Sequence, residues 1–200
     1  MTSRQPFVQS GGLQLEDRWV ASAKRGDASA FNELVAVYQD LCYSVAYRLV
    51  GDPDAAADVT QDAFWSAYRH LDQFHGGSFR SWLLRIVTNT SYDALRKRQR
   101  QPSQSLDLLT EETAFDPPDL GELPEALALR QELFSAIEGG LQTLPLDQRA
   151  VLVLCDVHGL SYEEAAETLN APLGTIKSRL NRARLRLRDY LLGHPELWKA

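Results

Sequence analysis

The sequence predicts an all-α protein made of two small helical domains joined by an acidic, flexible linker. Apolar residues recur at helical spacing along most of the chain, and no alternating run of useful length indicates a strand. The basic residues form two blocks that an acidic segment separates. We therefore expect a tail at 1–12, a domain at 13–100, the linker at 101–124, a domain at 125–193 and a second tail at 194–200.

Composition excludes several classes of protein. The chain has 200 residues, 44% hydrophobic and 24% charged, which is typical of a globular protein. Because it has neither an apolar run of membrane-spanning length nor a hydrophobic signal core, we expect a cytoplasmic protein without direct membrane contact. Cys42 and Cys155 are too far apart for a CxxC site, and the four histidines are scattered, so we expect no metal and no cofactor.

Local signals predict four helices in the first domain. Gly26 and Gly51 end the first two helices, while Asp27, Asp52 and Ser78 cap the second, third and fourth. The four expected helices cover about 13–25, 28–50, 53–73 and 79–99. The residues that the third helix is expected to bury are Val59, Phe64, Trp65 and Tyr68.

The linker and the start of the second domain are distinguished by composition. Residues 101–123 contain three prolines and many acids, which bury too little to order themselves alone. Helices are expected to resume near Pro124, one running to about 142 and the next from Pro145 to about 158.

A helix-turn-helix pattern follows at 159–191. Ser161 and Glu164 form a capping box ahead of one helix, and 170–174 make the turn. Thr175 is expected to open the second helix, whose apolar stripe is Ile176, Leu180, Ala183 and Leu187. Its opposite face presents Lys177, Ser178, Asn181 and Arg182, with Arg179 and Arg186 on a flank and Leu185 also pointing outward.

Charge along this second helix indicates nucleic-acid binding. Six Lys and Arg lie between Lys177 and Arg188 with no acid among them, although the formal net charge of the chain is −6. In helix-turn-helix proteins the second helix enters the major groove, where such side chains meet base edges and phosphates. A solvated, Arg-rich surface helix is the alternative, and the motif alone does not say what DNA binding would achieve.

Three motifs in order resemble the extracytoplasmic-function (ECF) class of bacterial RNA polymerase sigma factors. They read DPDAAADVTQDAFWSAYRHLDQF, FRSWLLRIVTNTSYDALRKRQR and LPLDQRAVLVLCDVHGLSYEEAAETLNAPLGTIKSRLNRARLRLRDYL. The resemblance covers roughly 25–100 and 130–192, and it implies sigma region 2, a linker and sigma region 4. It therefore implies a promoter-specificity subunit with two partners, core RNA polymerase and promoter DNA.

The resemblance assigns roles to particular positions. It implies docking on the clamp helices of the polymerase beta-prime subunit for Asp58, Gln61, Asp62 and Phe64. The alternative for these residues is a solvated acidic helix face. The positions that imply reading and melting of the promoter −10 element are Arg80, Asn89, Asp93, Arg96 and Lys97. Those that imply reading of the −35 element are Thr175, Lys177, Ser178, Arg179, Asn181 and Arg182.

Other implications leave alternatives open. Trp82 fits core packing or base stacking, and the leucines near 144–154 fit core packing or a contact with the polymerase beta flap. The linker either enters the polymerase or is a plain tether. Control by an anti-sigma factor is what the resemblance implies for regulation.

Three other functions fit the sequence less well than the one this resemblance implies. The sequence contains no P-loop, GxSxG or HExxH, so we expect no catalysis. A free-standing regulator that binds DNA as a dimer through 159–191 would leave the basic block at 80–100 unexplained. A protein-only adaptor would not need the cations of the last helix, and a nuclease would need clustered acids that the basic blocks lack.

Overall fold

The computed structural model describes residues 10–100 and 124–194, and within these ranges it contains helices and no strand. Four helices make a first bundle: α1 (Ser10–Lys24), α2 (Ala28–Val50), α3 (Pro53–Arg69) and α4 (Phe79–Arg100). Four more make a second bundle: α5 (Pro124–Thr143), α6 (Leu146–Leu152), α7 (Tyr162–Leu169) and α8 (Leu173–Leu192). The all-α prediction is confirmed. Of the expected linker at 101–124, residues 101–123 lie outside the described residues, as do the outermost residues of both tails, whereas Pro124 begins α5.

The predicted caps of the first bundle are confirmed. The Asp27 carboxylate accepts hydrogen bonds from the backbone N–H groups of Ser29 and Ala30, at 3.0 and 3.3 Å. The Asp52 carboxylate accepts one from Ala55 at 2.8 Å. Gly51 ends α2 with φ at +76°, a left-handed conformation that suits glycine. Local side-chain chemistry therefore decides where these helices begin and end.

Helix α2 lies at the centre of the first bundle and packs against α1, α3 and α4. The residues of α2 that are fully buried include Leu34, Cys42, Val45 and Leu49. They face apolar side chains of α3 and α4, as the helical periodicity predicts. Burial raises the pKa of the Cys42 thiol to about 12, which keeps it a neutral core side chain.

Helix α3 differs from its prediction in two ways. It ends at Arg69, and a separate 3-10 turn follows at Leu71–Gln73, so the helix does not run on to 73. The prediction that Trp65 and Tyr68 are buried is wrong, because these side chains are 62% and 38% exposed. The buried stripe of α3 consists of Ala56, Val59, Ala63, Phe64 and Ala67.

The second bundle forms around α6, which packs mainly on α8 and continues as a π-helical turn at Val153–Val157. Helix α8 buries Ile176, Leu180 and Ala183 of the predicted stripe, and Leu187, its fourth member, is partly buried. It begins at Leu173 directly after Pro172, two residues before the expected start at Thr175. Proline at a helix start fixes φ in advance, so α8 begins as soon as the turn allows it.

The two bundles pack against each other. Helix α4 contacts α7, and α2 contacts α5 and α6, so the buried residues of both bundles form one connected cluster. Nothing in the sequence pattern predicted this contact. The contact between the bundles brings together two surfaces, and these surfaces carry several of the residues predicted to read DNA.

Candidate nucleic-acid interface

The helix-turn-helix has the geometry that its sequence predicts. The Ser161 backbone N–H donates to the Glu164 carboxylate at 2.8 Å, and the Glu164 N–H donates to the Ser161 hydroxyl at 3.1 Å, which completes the capping box. Asn170 ends α7 in the left-handed conformation, with φ at +48°. After the short turn, α8 begins at Leu173 and packs against α7.

The outward face of α8 carries the predicted reading residues. Lys177, Ser178, Asn181 and Arg182 are all exposed, whereas Thr175 is half-buried. Leu185 is 42% exposed on the same helix, so its outward direction is confirmed. The four exposed side chains lie in the N-terminal half of α8, the half that reaches base edges in this motif.

Ion pairs divide the cations of α8 into two groups. Arg179 pairs with Asp147 at 2.9 Å, and Arg184 makes two hydrogen bonds to the Asp156 carboxylate, at 2.8 and 2.6 Å. The Asp156 carboxylate raises the pKa of Arg184 above its ordinary range. Among the described residues, Lys177 and Arg182 make no ion pair. These two cations can therefore meet a phosphate or a guanine without breaking an ion pair to another described residue.

Helix α4 presents a second polar face. Asn89, Asp93, Arg96 and Lys97 are all exposed, and Arg96 lies 3.4 Å from Asp93. Arg80 is not part of this face, because its guanidinium lies half-buried and donates to the backbone carbonyl of His158 at 2.8 Å. The structure thus brings together four of the five residues predicted for the −10 element.

The residues around the loop before α4 form an aromatic cluster. The ring of Trp82 lies 5.5 Å from that of Phe74 and 5.6 Å from that of Phe79, measured between centroids. Because Phe74 and Phe79 are buried, this contact favours core packing over base stacking for Trp82. The glycines at 76 and 77 both have positive φ, which fixes a tight loop beside the cluster.

Helix α3 carries an exposed acidic face beside an exposed aromatic pair. Asp58, Gln61 and Asp62 are exposed, as predicted. Phe64 is only 9% exposed, so its ring belongs to the core and is not available to a partner. Trp65 takes its place on the surface and stacks on Tyr68, with 6.4 Å between ring centroids.

Sequence periodicity could have identified Trp65. Positions 58, 62 and 65 follow the i, i+4, i+7 spacing of one helix face, the face that carries the two acids. Phe64 follows Val59 and Ala63 on the other side of the helix. The prediction that Trp65 is buried rests on its apolarity alone. Its position in the helical period places it on the exposed face.

A cleft of about 390 Å³ lies between the bundles. Thr88, Asn89 and Tyr92 of α4 line one side, and Thr175 and Arg179 of α8 line the other. Burial raises the pKa of Tyr92 to about 12, so its hydroxyl stays neutral there. Residues predicted to read two separate promoter elements therefore share one cleft.

The described ranges offer neither a metal site nor a membrane span. Among residues 10–100 and 124–194, no group of three His, Cys, Asp or Glu side chains is arranged to hold a metal ion. None of the helices in those ranges combines the length and the apolarity that a membrane span requires. Cys155 is buried, and burial raises the pKa of its thiol to about 11.

Comparison with known proteins identifies the two bundles. Residues 34–101 match the family model of sigma-70 region 2, and 135–187 match that of sigma-70 region 4. The ECF RNA polymerase sigma factor SigE of Mycolicibacterium smegmatis is 36% identical over an alignment of 200 positions, gaps included, that covers 97% of this chain and 76% of SigE.

Two solved structures resemble most of the chain. CnrH in complex with the cytosolic domain of CnrY has a TM-score of 0.65 at 29% identity, covering 90% of this chain and 98% of CnrH. The sigma factor RpoE in complex with the anti-sigma factor NepR from Bartonella quintana has a TM-score of 0.64 at 31% identity, covering 80% of this chain and 96% of RpoE.

A region 2 bundle followed by a region 4 helix-turn-helix defines a transcription initiation factor of the sigma-70 type. Because SigE is 36% identical in an alignment that covers 97% of this chain, the chain belongs to the ECF RNA polymerase sigma factors.

Proposed function

We propose that this chain binds core RNA polymerase through α3 and reads promoter DNA through α4 and α8, without catalysing a reaction itself. The observation that carries the proposal is the outward face of α8. Lys177, Ser178, Asn181 and Arg182 are exposed together there, while Ile176 and Leu180 hold the other side of the helix in the core.

The −35 element is the DNA that α8 suits. Lys and Arg pair with guanine edges, Asn with adenine, and Ser with either, so the exposed face offers donors and acceptors to a short major-groove sequence. Arg179 lies at the edge of this face and reaches DNA only by leaving the Asp147 carboxylate. We therefore assign base reading first to Lys177, Asn181 and Arg182.

The −10 element is the DNA that α4 suits. Asn89 and Lys97 offer an amide and a cation on one exposed side, and Arg96 sits beside Asp93. Cations along a single strand hold its phosphates, while an amide can bond to an unpaired base. We expect extruded bases of the −10 element to meet this side of the first bundle near the loop at 75–78.

Core polymerase is expected to meet the acidic face of α3. Asp58 and Asp62 provide negative charge that suits the basic clamp helices of the beta-prime subunit, and Trp65 provides an exposed aromatic anchor between them and Tyr68. For the beta flap, Leu144, Leu152 and Leu154 offer no surface because they are buried. A flap contact by the second bundle remains a prediction.

An anti-sigma factor is the expected regulator. RpoE of Bartonella quintana, to which this chain is similar over 80% of its length, was solved bound to the anti-sigma factor NepR. We propose that a protein of that kind covers the polymerase-binding faces of this chain. Co-purification of such a protein with the intact chain would support this assignment.

Run-off transcription with core RNA polymerase on a pool of genomic promoter fragments tests the proposal. We expect discrete new start sites that depend on the protein. The double substitution Lys177→Ala and Arg182→Ala should reduce the product at least about 10-fold, since each base contact contributes about 1–3 kcal/mol. The double substitution Arg184→Ala and Arg188→Ala is the matched control, because it removes two cations of the same helix that pair with Asp156 and Asp189.

Two other outcomes would support other functions. Tight binding to duplex DNA without polymerase, together with no stimulation of transcription, would indicate a free-standing regulator. Unchanged activity in the Lys177→Ala, Arg182→Ala variant would indicate a protein-only adaptor and would contradict the assigned role of α8.

A further inference from the structure

The C-terminal end of α1 lies against the segment that joins α3 to α4. Lys24, in the last turn of α1, donates a hydrogen bond from its ammonium group to the backbone carbonyl of Phe74, 50 positions further along the chain. The same ammonium lies 5.6 Å from the centroid of the Phe74 ring, a distance at which an aromatic face attracts a cation. One side chain of α1 therefore contacts both the backbone and the ring of the residue directly before the loop at 75–78.

Helix α1 is a fixed base for this contact. Val20 and Ala23 of α1 are buried in the core of the first bundle, and the helix packs against α2 and against the 3-10 turn at Leu71–Gln73. The Ser22 hydroxyl also donates to the Asp27 carboxylate at 3.0 Å, which joins the end of α1 to the start of α2. The backbone that carries Lys24 is therefore held independently of the loop.

Both ends of the loop are held, whereas its middle is open. At the first end the buried ring of Phe74 packs edge-on against Phe79, with 5.6 Å between centroids. At the other end the Ser78 hydroxyl accepts a hydrogen bond from the Ser81 backbone N–H at 3.1 Å and so caps α4. A Cβ atom at either of the glycines at 76 and 77 would meet nothing within 4 Å. The loop is thus a short span between two fixed points.

A loop that captures an extruded base works best when its shape exists before the base arrives. Any ordering that happens on binding is subtracted from the affinity, so a held loop binds more tightly than a loose loop with the same contacts. Two of the four residues at 75–78 are glycines, so the loop presents mainly its backbone. Burial of the ring fixes the Phe74 side chain, and Lys24 fixes the Phe74 carbonyl group, from which the chain continues into the loop.

We propose that Lys24 is a positioning residue for reading of the −10 element. It holds the Phe74 end of the loop at 75–78, and it thereby keeps the loop in the shape that receives an extruded base, without contacting DNA itself. The proposal rests on the proposed function for the role of the loop. It gives α1 a part in promoter opening, although no residue of α1 is assigned to DNA or to polymerase above.

Three variants of the full chain test the proposal. Lys24→Met removes the ammonium group and keeps a long, unbranched side chain. Lys24→Arg keeps a cation that can donate to the same carbonyl. Arg25→Met is the matched control, because Arg25 is the exposed neighbour and the change removes the same charge. Circular dichroism and thermal unfolding show whether each variant keeps its helices and its stability.

Hydrogen exchange of the free chain, followed by NMR, reports the loop whatever the function of the protein is. The Phe74 backbone N–H bonds to the Leu71 carbonyl at 3.2 Å, and the Trp82 N–H bonds to the Ser78 carbonyl at 3.1 Å, so the two amides report the two ends of the loop. Lys24→Met should speed exchange at Phe74 about 5-fold, the size expected for one lost hydrogen bond at a partly exposed site. Exchange at Trp82 should not change, because Ser78 holds that end.

Promoter opening by the complex with core polymerase is the second measurement, on a promoter that run-off transcription identifies. Permanganate reactivity of unpaired thymines gives the rate of opening, and a gel shift gives the affinity for the closed promoter. Lys24→Met should slow opening about 5-fold, since capture scales with the fraction of loops that hold the receptive shape. Its affinity for the closed promoter should equal that of the wild type. Lys24→Arg should open faster than Lys24→Met, and Arg25→Met should match the wild type in both measurements.

Unchanged exchange at Phe74 in Lys24→Met, or faster exchange with a normal rate of opening, would overturn the proposal. So would an equal defect in Arg25→Met. A change of about 0.9 in the slope of log affinity against log salt concentration in Lys24→Met would show a direct phosphate contact and would also overturn it. Faster exchange as expected, with no run-off product from any protein including the wild type, would support Lys24 as the residue that holds the loop and contradict the proposed function.

Discussion

Phe64 and Trp65 are adjacent in sequence and have opposite environments in α3. Phe64 is 9% exposed and packs in the core of the first bundle, whereas Trp65 is 62% exposed beside the acidic face. Successive residues of a helix are separated by about 100°, so one step along the chain can move an aromatic ring from the core to the surface. Whether a side chain of α3 is buried therefore depends more on its position in the helical period than on its apolarity.

Alanine substitutions at these two positions should separate stability from polymerase binding. Phe64→Ala should lower the free energy of unfolding by about 3–5 kcal/mol, because it leaves a cavity. Trp65→Ala should change it by less than about 0.5 kcal/mol and should weaken binding to core polymerase at least about 10-fold. Chemical denaturation and a pull-down with core polymerase measure the two effects; a strong loss of stability in Trp65→Ala would contradict this assignment.

Helices α5 and α8 approach closely where Gly140 lies. A Cβ atom at Gly140 would lie 2.6 Å from Leu187 Cδ1 and 2.8 Å from Tyr190 Cδ1, closer than packed atoms allow. The absence of a side chain at this position lets two elements of the second bundle touch. Helix α5 therefore helps to orient α8, together with α6 and α7, although no residue assigned to DNA reading lies on α5.

The substitution Gly140→Ala should lower the free energy of unfolding by about 1–3 kcal/mol, since Leu187 and Tyr190 would have to move. Gly174→Ala is the matched control, because a Cβ there meets nothing within 4 Å. Alanine replaces glycine in a helix at both sites, so the control should be neutral or stabilising by up to about 1 kcal/mol. Thermal unfolding followed by circular dichroism measures the difference, and equal midpoints would show that the helices do not pack as described.

The packing of the two bundles is a property of the whole molecule, and it places an imidazole between them. Burial, followed by the positive charges of Arg48 and Arg80, lowers the pKa of His158 from 6.5 to about 4. The undocked state therefore binds a proton more tightly than the docked state does. The contact between the bundles is most stable above pH 6.5 and weakens as the pH falls toward 4, by at most about 3 kcal/mol.

Acidification from pH 7 to pH 5 should therefore increase the radius of gyration of the wild-type protein. His158→Gln should reduce this dependence, because a glutamine does not titrate. Burial raises the pKa of Glu138 even though Arg48 lowers it, so this carboxyl has the opposite effect, favouring docking at low pH. Glu138 is present in both proteins, and the difference between them isolates the imidazole; identical scattering profiles against pH would contradict this role of His158.

Much of the fold and the α8 face could be predicted from the sequence because the determinants are local. Asp27, Asp52 and Ser161 cap the helices that follow them within three residues, and the apolar period of α8 places Lys177 and Arg182 outward. Such signals act over one or two helical turns, so a single chain contains them in full.

Only the tertiary structure decided which of these faces meet. The bond from Arg149 to the Leu49 carbonyl joins residues 100 positions apart, and the bond from Gln142 to the Arg48 carbonyl joins residues 94 apart. Polar contacts over such distances follow no periodicity, and a backbone carbonyl accepts hydrogen bonds whatever its side chain is. The sequence by itself therefore determined the helices, their buried sides and the α8 basic face. The docking of the two bundles, which brings Asn89 and Arg179 into one cleft, follows from long-range packing that no local pattern encodes.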